Sequence, residues 1–281
     1  MLIVTYLIEP LRHSFMQRAL LVALLIGIVC AVLSCFLVLK GWSLMGDAIS
    51  HAVLPGIVLA CASGLPLSLG AFISSLICAY TIAYIKNHSH LKEDTVMGII
   101  YTGMFGLGLV LFARIDTDQH LSHILFGNIL GIPIQEFLHI LIISITVTLI
   151  LLLKRRDLVL YCFDLRQTTV LGFFIPLLHY GFLSLIGLTV VAALQAVGVL
   201  LVIAMLITPG ITALVLCKSF DAMLKLSLLT ATFSSINGTL LSFYCDVSTG
   251  PCIVLIQSLL FLVALTLRRY IINRPHKLKY I

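Results

Sequence analysis

Charge is scarce in this chain. Only 10% of its 281 residues are charged, against roughly 25% in an ordinary soluble domain, while 61% are hydrophobic. So few polar side chains cannot cover the apolar surface, which excludes a water-soluble globular domain and requires a lipid-facing one. The in/out alternation of barrel strands is missing as well, so the continuously apolar runs read as helices. No G-x-x-x-x-G-K-S/T occurs, and the chain therefore cannot bind ATP through a P-loop. H-E-x-x-H is absent and no three-ligand cluster converges in sequence, which ranks an intramembrane metalloenzyme last. Nor is there a convincing internal repeat of the kind that pairs broken helices in many secondary transporters. The eight cysteines, Cys30, Cys35, Cys61, Cys78, Cys162, Cys217, Cys245 and Cys252, form no C-x-x-C and read as packing residues. Cys245 and Cys252, which flank a short loop, are the one pair placed for a disulfide.

What is present is a series of charge-free runs: Ala19 to Leu39, Ala48 to Ile85, Thr95 to Ala113, Phe137 to Leu153, Gln167 to Cys217, Leu226 to Cys245 and Val247 to Leu267. A helix needs about 20 apolar residues to cross the hydrocarbon core, so the two longest runs hold room for two spans each. The expected fold is an all-α, polytopic transmembrane helix bundle of eight or nine spans, a single domain over residues 1–281. Gly64 and Pro66 mark a turn in the first long run, and length places a division of the second near Ala192 to Gln195. The first hydrophobic run is too long for a signal-peptide h-region and lacks a clear cleavage site, so it should remain as an anchor.

Lys and Arg near span ends favour the cytoplasmic side. Arg268, Arg269, Arg274, Lys277 and Lys279 place the tail over 268–281 inside, with Lys218 and Lys225, the Lys154 to Arg156 loop and the Lys86 to Lys92 loop. Asp116, Asp118 and Asp246 fall outside. Nine spans put the N-terminus outside and Lys40 inside; eight, with part of Ala48 to Ile85 not crossing, put the N-terminus inside. The net charge of +6 follows from this bias and from anionic lipid, and calls for no nucleic-acid partner.

Asp47 and His51 are four residues apart, so a helix projects both from one face, where a carboxylate oxygen and an imidazole nitrogen can reach one ion. An ionisable residue near a membrane interior costs about 2.5 to 3.5 kcal/mol on insertion scales and usually faces a pathway. Asp47 could instead cap a helix start with His51 as a polar neighbour. Pro55-Gly56 just beyond would break the helix near the pair, as along many substrate routes.

The stretch Leu39 to Ile57 (LKGWSLMGDAISHAVLPGI) resembles the hallmark of the permease family that serves bacterial zinc, manganese and iron ABC importers. So do Leu121 to Gly131 (LSHILFGNILG), Thr189 to Ala213 (TVVAALQAVGVLLVIAMLITPGITA) and Asp246 to Val254 (DVSTGPCIV), in family order. The resemblance implies a permease of the bacterial inner membrane that performs no covalent chemistry and passes a divalent metal ion as substrate, with no resident cofactor. It implies an ATP-binding subunit dimer, a second copy or a related permease, and an extracytoplasmic metal-binding protein as partners. Asp47 and His51 match the acidic residue and histidine implicated in metal coordination along the path, and the absence of Cys there disfavours a soft-metal site. A coupling helix for the ATPase is implied within the cytoplasmic loop over 154–172, from Phe163 and Asp164 to Gly172. A self-sufficient secondary transporter or channel using the same pair is the competing class.

Lesser features remain. His88 and His90 read as a solvated loop that could bind metal in passing. Gln195, His179 and Gln257 are polar within apolar runs and suit interhelical hydrogen bonds worth around 1 kcal/mol. Gly127 and Gly131 have G-x-x-x-G spacing, and Thr208-Pro209-Gly210 should break or kink its helix and free backbone carbonyls.

Overall fold

The computed structural model describes residues 12–114 and 131–272. Glu9, Asp116, Asp118, most of the Leu121 to Gly131 motif including Gly127, and the tail residues Arg274, Lys277 and Lys279 lie outside the described residues, as does the side chain of Gln195. Among the described residues every regular element is a helix, as the continuous apolar runs require. In chain order these are α1 (Ser14–Lys40), α2 (Met45–Ala52), α3 (Leu54–Ser63), α4 (Leu67–His88), α5 (Glu93–Arg114), α6 (Ile134–Leu153), α7 (Arg155–Phe163), α8 (Leu165–Val170), α9 (Ile175–Leu216), α10 (Phe220–Cys245) and α11 (Thr249–Ile272). Eight stretches among the described residues are long and apolar enough to cross a membrane, with α2 and α3 together supplying one of them, Met45–Ser63.

α9 is two arms rather than one rod. Phe182 packs its ring on Phe36 of α1 with centroids 6.3 Å apart, and the Gly210 N–H donates to Ser34 Oγ at 2.9 Å, within one turn of Phe36. A straight helix from Phe182 to Gly210 would run about 42 Å, so the chain doubles back between them. The reversal is at Gly198, whose φ of 76° and ψ of 167° belong to a region essentially reserved for glycine. The division therefore falls just beyond the Ala192 to Gln195 window expected from length. The second arm, Leu201–Leu216, is about 24 Å long and shorter than the roughly 30 Å hydrocarbon core.

This changes the choice between eight and nine spans. Both halves of the Ala48 to Ile85 run are spanning helices, separated at Gly64 and Pro66 as expected; the short element is Leu201–Leu216 instead. Lys40 Nζ donates to the Tyr161 carbonyl at 3.3 Å and Arg155 pairs with Asp221 at 3.0 Å, so the end of α1, α7 and the start of α10 share one end of the bundle. His13 lies against Phe243 at the other, 6.1 Å between centroids. α1 thus begins at the end opposite Lys40.

α1 is the hub, and both arms of α9, α10 and α6 pack on it. Hydrocarbon tails are as apolar as leucine, so these contacts rely on small residues and hydrogen bonds rather than on hydrophobic burial. Ser227 Oγ donates to the Ala31 carbonyl at 3.0 Å, and a Cβ on Gly27 would lie 2.7 Å from Ser235 Oγ. Pro209 does not break its helix; beside it the Ser34 hydroxyl accepts from Gly210 N–H and donates to the Ile207 carbonyl at 3.1 Å. Five cysteines are buried, Cys61 and Cys217 are half-buried and Cys245 is exposed; all eight are free, including Cys245 and Cys252.

Candidate functional site

α2 opens after a left-handed turn at Gly41 that ends α1, and the Trp42 carbonyl accepts from Met45 N–H at 3.1 Å to start it. Its N-cap is Leu44, with no side-chain cap, so Asp47 is not the capping residue; it sits inside the first turn, where a carboxylate suits the positive end of the helix dipole. Asp47 Oδ1 and His51 Nε2 lie 3.2 Å apart. The expected i, i+4 juxtaposition is therefore present. The His51 ring is held from α5, stacked on Tyr101 at 5.9 Å and edge-on to Phe105 at 5.2 Å. Tyr101 and Phe105 are themselves four apart, a spacing that sequence reading passed over.

The helix is interrupted at Val53, two residues ahead of Pro55, where α2 ends and α3 begins. Val53 between α2 and α3 keeps right-handed helical angles, and Pro55 occupies the first turn of α3, where a missing N–H is tolerated. What Gly56 provides is close approach. A Cβ there would overlap the Gly70 carbonyl oxygen and come within 2.5 Å of Ser74 Cβ, and Ser74 Oγ donates to the Ala52 carbonyl at 2.6 Å. α4 is thereby locked beside the span that carries the pair. On the other side, a Cβ on Gly46 would lie 2.9 Å from Leu206, so the short arm of α9 also rests on α2.

The side chains of His51 and Asp47 remain 28% and 24% exposed, so the pair opens on a surface of the chain instead of being sealed in its core. Two ligands about 2.0 to 2.2 Å from a first-row divalent ion stand about 2.8 to 3.6 Å from each other at angles between square and tetrahedral. The observed 3.2 Å is within that bite. No group of three or more His, Cys, Asp or Glu side chains assembles among the described residues, so one chain offers two ligands and an ion would need others.

At the Lys40 end, α8 has a defined start and stop. Asp164 is its N-cap, accepting from Arg166 N–H at 2.8 Å and Gln167 N–H at 3.1 Å, and Gly172 closes it with φ of 79° while Phe173 N–H reaches the Thr168 carbonyl at 3.3 Å. Phe163, Val170 and Leu171 stand exposed around it. His179 hydrogen-bonds the Tyr161 hydroxyl through Nδ1 at 2.6 Å, as its expected role of tying helices together requires. Gln257 differs: it is buried, and neither amide atom is hydrogen-bonded among the described residues. His88 turns Nδ1 to the Tyr84 carbonyl at 2.9 Å and finishes α4.

The described residues thus form a polytopic helical bundle with a carboxylate and an imidazole paired on one face of a spanning helix, the architecture of an integral membrane protein. The chain belongs to the ABC 3 transport family, which it matches over residues 12–268. It is the membrane, or permease, subunit of such a transporter and not its ATPase. The chain is 60% identical over 257 residues to the chelated iron transport system membrane protein YfeD of Yersinia pestis, covering 92% of this chain and 86% of that protein. It is 48% identical over 260 residues to the manganese transport system membrane protein MntB of Synechocystis, covering 92% and 85%. Among solved structures, PsaBC from Streptococcus pneumoniae in complex with Fab superposes with a TM-score of 0.83 at 35% identity, over 93% of this chain and 95% of that one.

Proposed function

We propose that this chain is the permease of a bacterial ABC importer that carries iron or manganese as a divalent ion across the inner membrane, and that Asp47 and His51 hold the ion in transit. The observation that carries the reading is the 3.2 Å pairing of those two side chains, partly exposed, in a chain of this family whose relatives are named for iron and manganese transport. A transit site must hold an ion long enough to exchange its hydration shell and release it readily. Two ligands from each of two facing permeases, this chain and a second copy or a related one, meet that need, with an extracytoplasmic binding protein delivering the ion. Oxygen and nitrogen donors suit Fe(II) and Mn(II).

Chemical energy must come from a partner ATPase dimer, and α8 with Phe163, Asp164 and Gly172 is the element offered to it. Asp164→Ala removes the cap of a helix too short to persist unaided, at about 1 kcal/mol. Reconstituted with the ATPase, this variant should take up Mn(II) or Fe(II) several-fold more slowly than wild type while the transporter still binds ATP. Uptake that proceeds at the wild-type rate with no ATPase present, driven by an ion gradient, would move the assignment to a secondary transporter.

The end of the bundle that carries Lys40, Lys154 to Arg156 and Lys218 faces the cytoplasm, by the bias of basic residues. Cys245, exposed at the end of α10, then faces outward, whereas burial pushes the Cys162 thiol on α7 up to about 12 and keeps it unreactive. A membrane-impermeant maleimide applied to spheroplasts should label the chain, and Cys245→Ser should remove most of the label. Labelling that appears only after permeabilisation reverses the orientation.

A further inference from the structure

Between α8 and the Asp47–His51 pair stands a cluster that the transport reading has not used. Tyr161, on α7 three residues before Asp164, is 1% exposed, so it cannot touch a docked partner and looks only into the bundle. Its hydroxyl and His179 Nδ1 share a 2.6 Å hydrogen bond. The face of its ring carries the Lys40 ammonium, 4.0 Å from the centroid, and its carbonyl accepts from the same ammonium. The His179 ring meets Trp42 edge-on at 5.3 Å, and Trp42 is buried and stacked on Phe182 at 6.1 Å. One aromatic and cationic clasp thus joins α7, the end of α1, the first arm of α9 and the turn over 41–44.

That turn is stiff on both sides. Trp42 N–H donates to the Leu37 carbonyl at 2.9 Å, closing α1, and the Trp42 carbonyl opens α2. Asp47 lies five residues on. At the other side Asp164 N–H donates to the Leu160 carbonyl at 2.9 Å, and the Asp164 side chain caps α8. A displacement of α8 therefore has a continuous path of hydrogen-bonded and packed groups to α2, with no loop of free chain to absorb it.

We propose that the clasp of Tyr161, His179, Trp42 and Lys40 sets the position of α2, and so of Asp47 and His51, according to the position of α7 and α8, with Tyr161 as a positioning residue for ATP-driven transport. The proposal rests on the permease reading above. Cation–π and charge-assisted contacts suit such a joint because they persist through small sliding movements, whereas the Tyr161 to His179 hydrogen bond is directional and fixes one register.

The test is metal uptake per ATP hydrolysed in the complete importer, reconstituted with its ATPase and supplied with Mn(II). Tyr161→Phe keeps the ring under Lys40 and deletes only the hydroxyl; it should lower uptake per ATP at least about fivefold while hydrolysis continues. His179→Phe should do the same, His179→Asn, which retains an acceptor near the place of Nδ1, should recover part of the loss, and the double Phe variant should be no worse than either single one, as expected for partners in one bond. Should Tyr161→Phe not assemble, the two His179 variants make the same comparison. A purely structural role would lower uptake and hydrolysis in step, with their ratio unchanged, and that result overturns the inference. So does a Tyr161→Phe complex with the wild-type ratio. Absence of ATP-driven uptake in the wild-type complex overturns the permease reading itself, and this inference with it.

Discussion

Asp47→Ala should reduce metal uptake by at least about 100-fold. A carboxylate on a spanning helix is expensive to keep, and in the proposed transit site it would supply the negative charge that offsets loss of the ion's hydration shell. Removing one member of a desolvated charge pair costs about 3 to 5 kcal/mol. Asp47 is 24% exposed, which discounts that figure toward 3 kcal/mol, still about 100-fold in an equilibrium constant. His51→Ala takes away a directional ligand but no carboxylate charge and should cost less, roughly tenfold; the aromatic pocket of Tyr101 and Phe105 positions the ring. Both variants should insert, assemble with the ATPase and hydrolyse ATP. The measurement is uptake of radiolabelled Mn(II) or Fe(II) into vesicles holding the complete importer, with assembly checked for each variant. Wild-type uptake by the Asp47→Ala, His51→Ala double variant would leave the pair as a structural contact between neighbouring turns.

Gly56→Val should leave little folded protein. The atom in the way is a backbone carbonyl, that of Gly70, which no rotamer change can move, so α3 and α4 must separate and the Ser74 to Ala52 hydrogen bond goes with them. Overpacking costs about 1 to 3 kcal/mol where side chains can yield; between two backbones the upper end is the expectation for Gly56→Ala, and more for valine. Gly181 has nothing within 4 Å of its missing Cβ, and Gly181→Ala should be neutral or stabilising by up to about 1 kcal/mol. Thermal midpoints and monodisperse yield in detergent separate the cases. Equal behaviour of Gly56→Val and Gly181→Ala would mean that the α3 and α4 crossing is not close in the membrane.

Spans were legible because lipid imposes one composition on every helix, and the turn at Gly64 and Pro66 because both residues act locally. The Asp47 and His51 pair was legible because helical spacing alone brings them together. Pro209 misled, because its helix continues past it and a serine that sequence places far away, Ser34, accepts from the Gly210 N–H, whereas Pro55 does follow an interruption, at Val53, and sits in the first turn of α3. Gly198, the residue that does reverse the chain, stands three residues beyond Gln195 in an apolar run, with no proline beside it to mark it. The clasp around Tyr161 was hidden because its residues come from three separate stretches, Lys40 with Trp42, Tyr161 and His179, which only tertiary packing assembles.

The hub helix also sets an order in time. Ser34 waits for Gly210, 176 residues later, and Ala31 for Ser227, 196 residues later. At about 5 to 20 residues per second, ribosomal synthesis separates the first of these pairs by roughly 9 to 35 s. During that interval α1 is already in the bilayer, with lipid tails against the surfaces that α9 and α10 will later cover. Because acyl chains solvate alanine, valine and leucine as well as another helix does, the delay is tolerable for α1. The lone hydroxyl of Ser34 is no obstacle, since a serine in a helix can return its proton to a carbonyl of the preceding turn. Assembly of the N-terminal half is therefore completed by the C-terminal half, and a nascent chain released before α10 has emerged would be inserted but not yet folded.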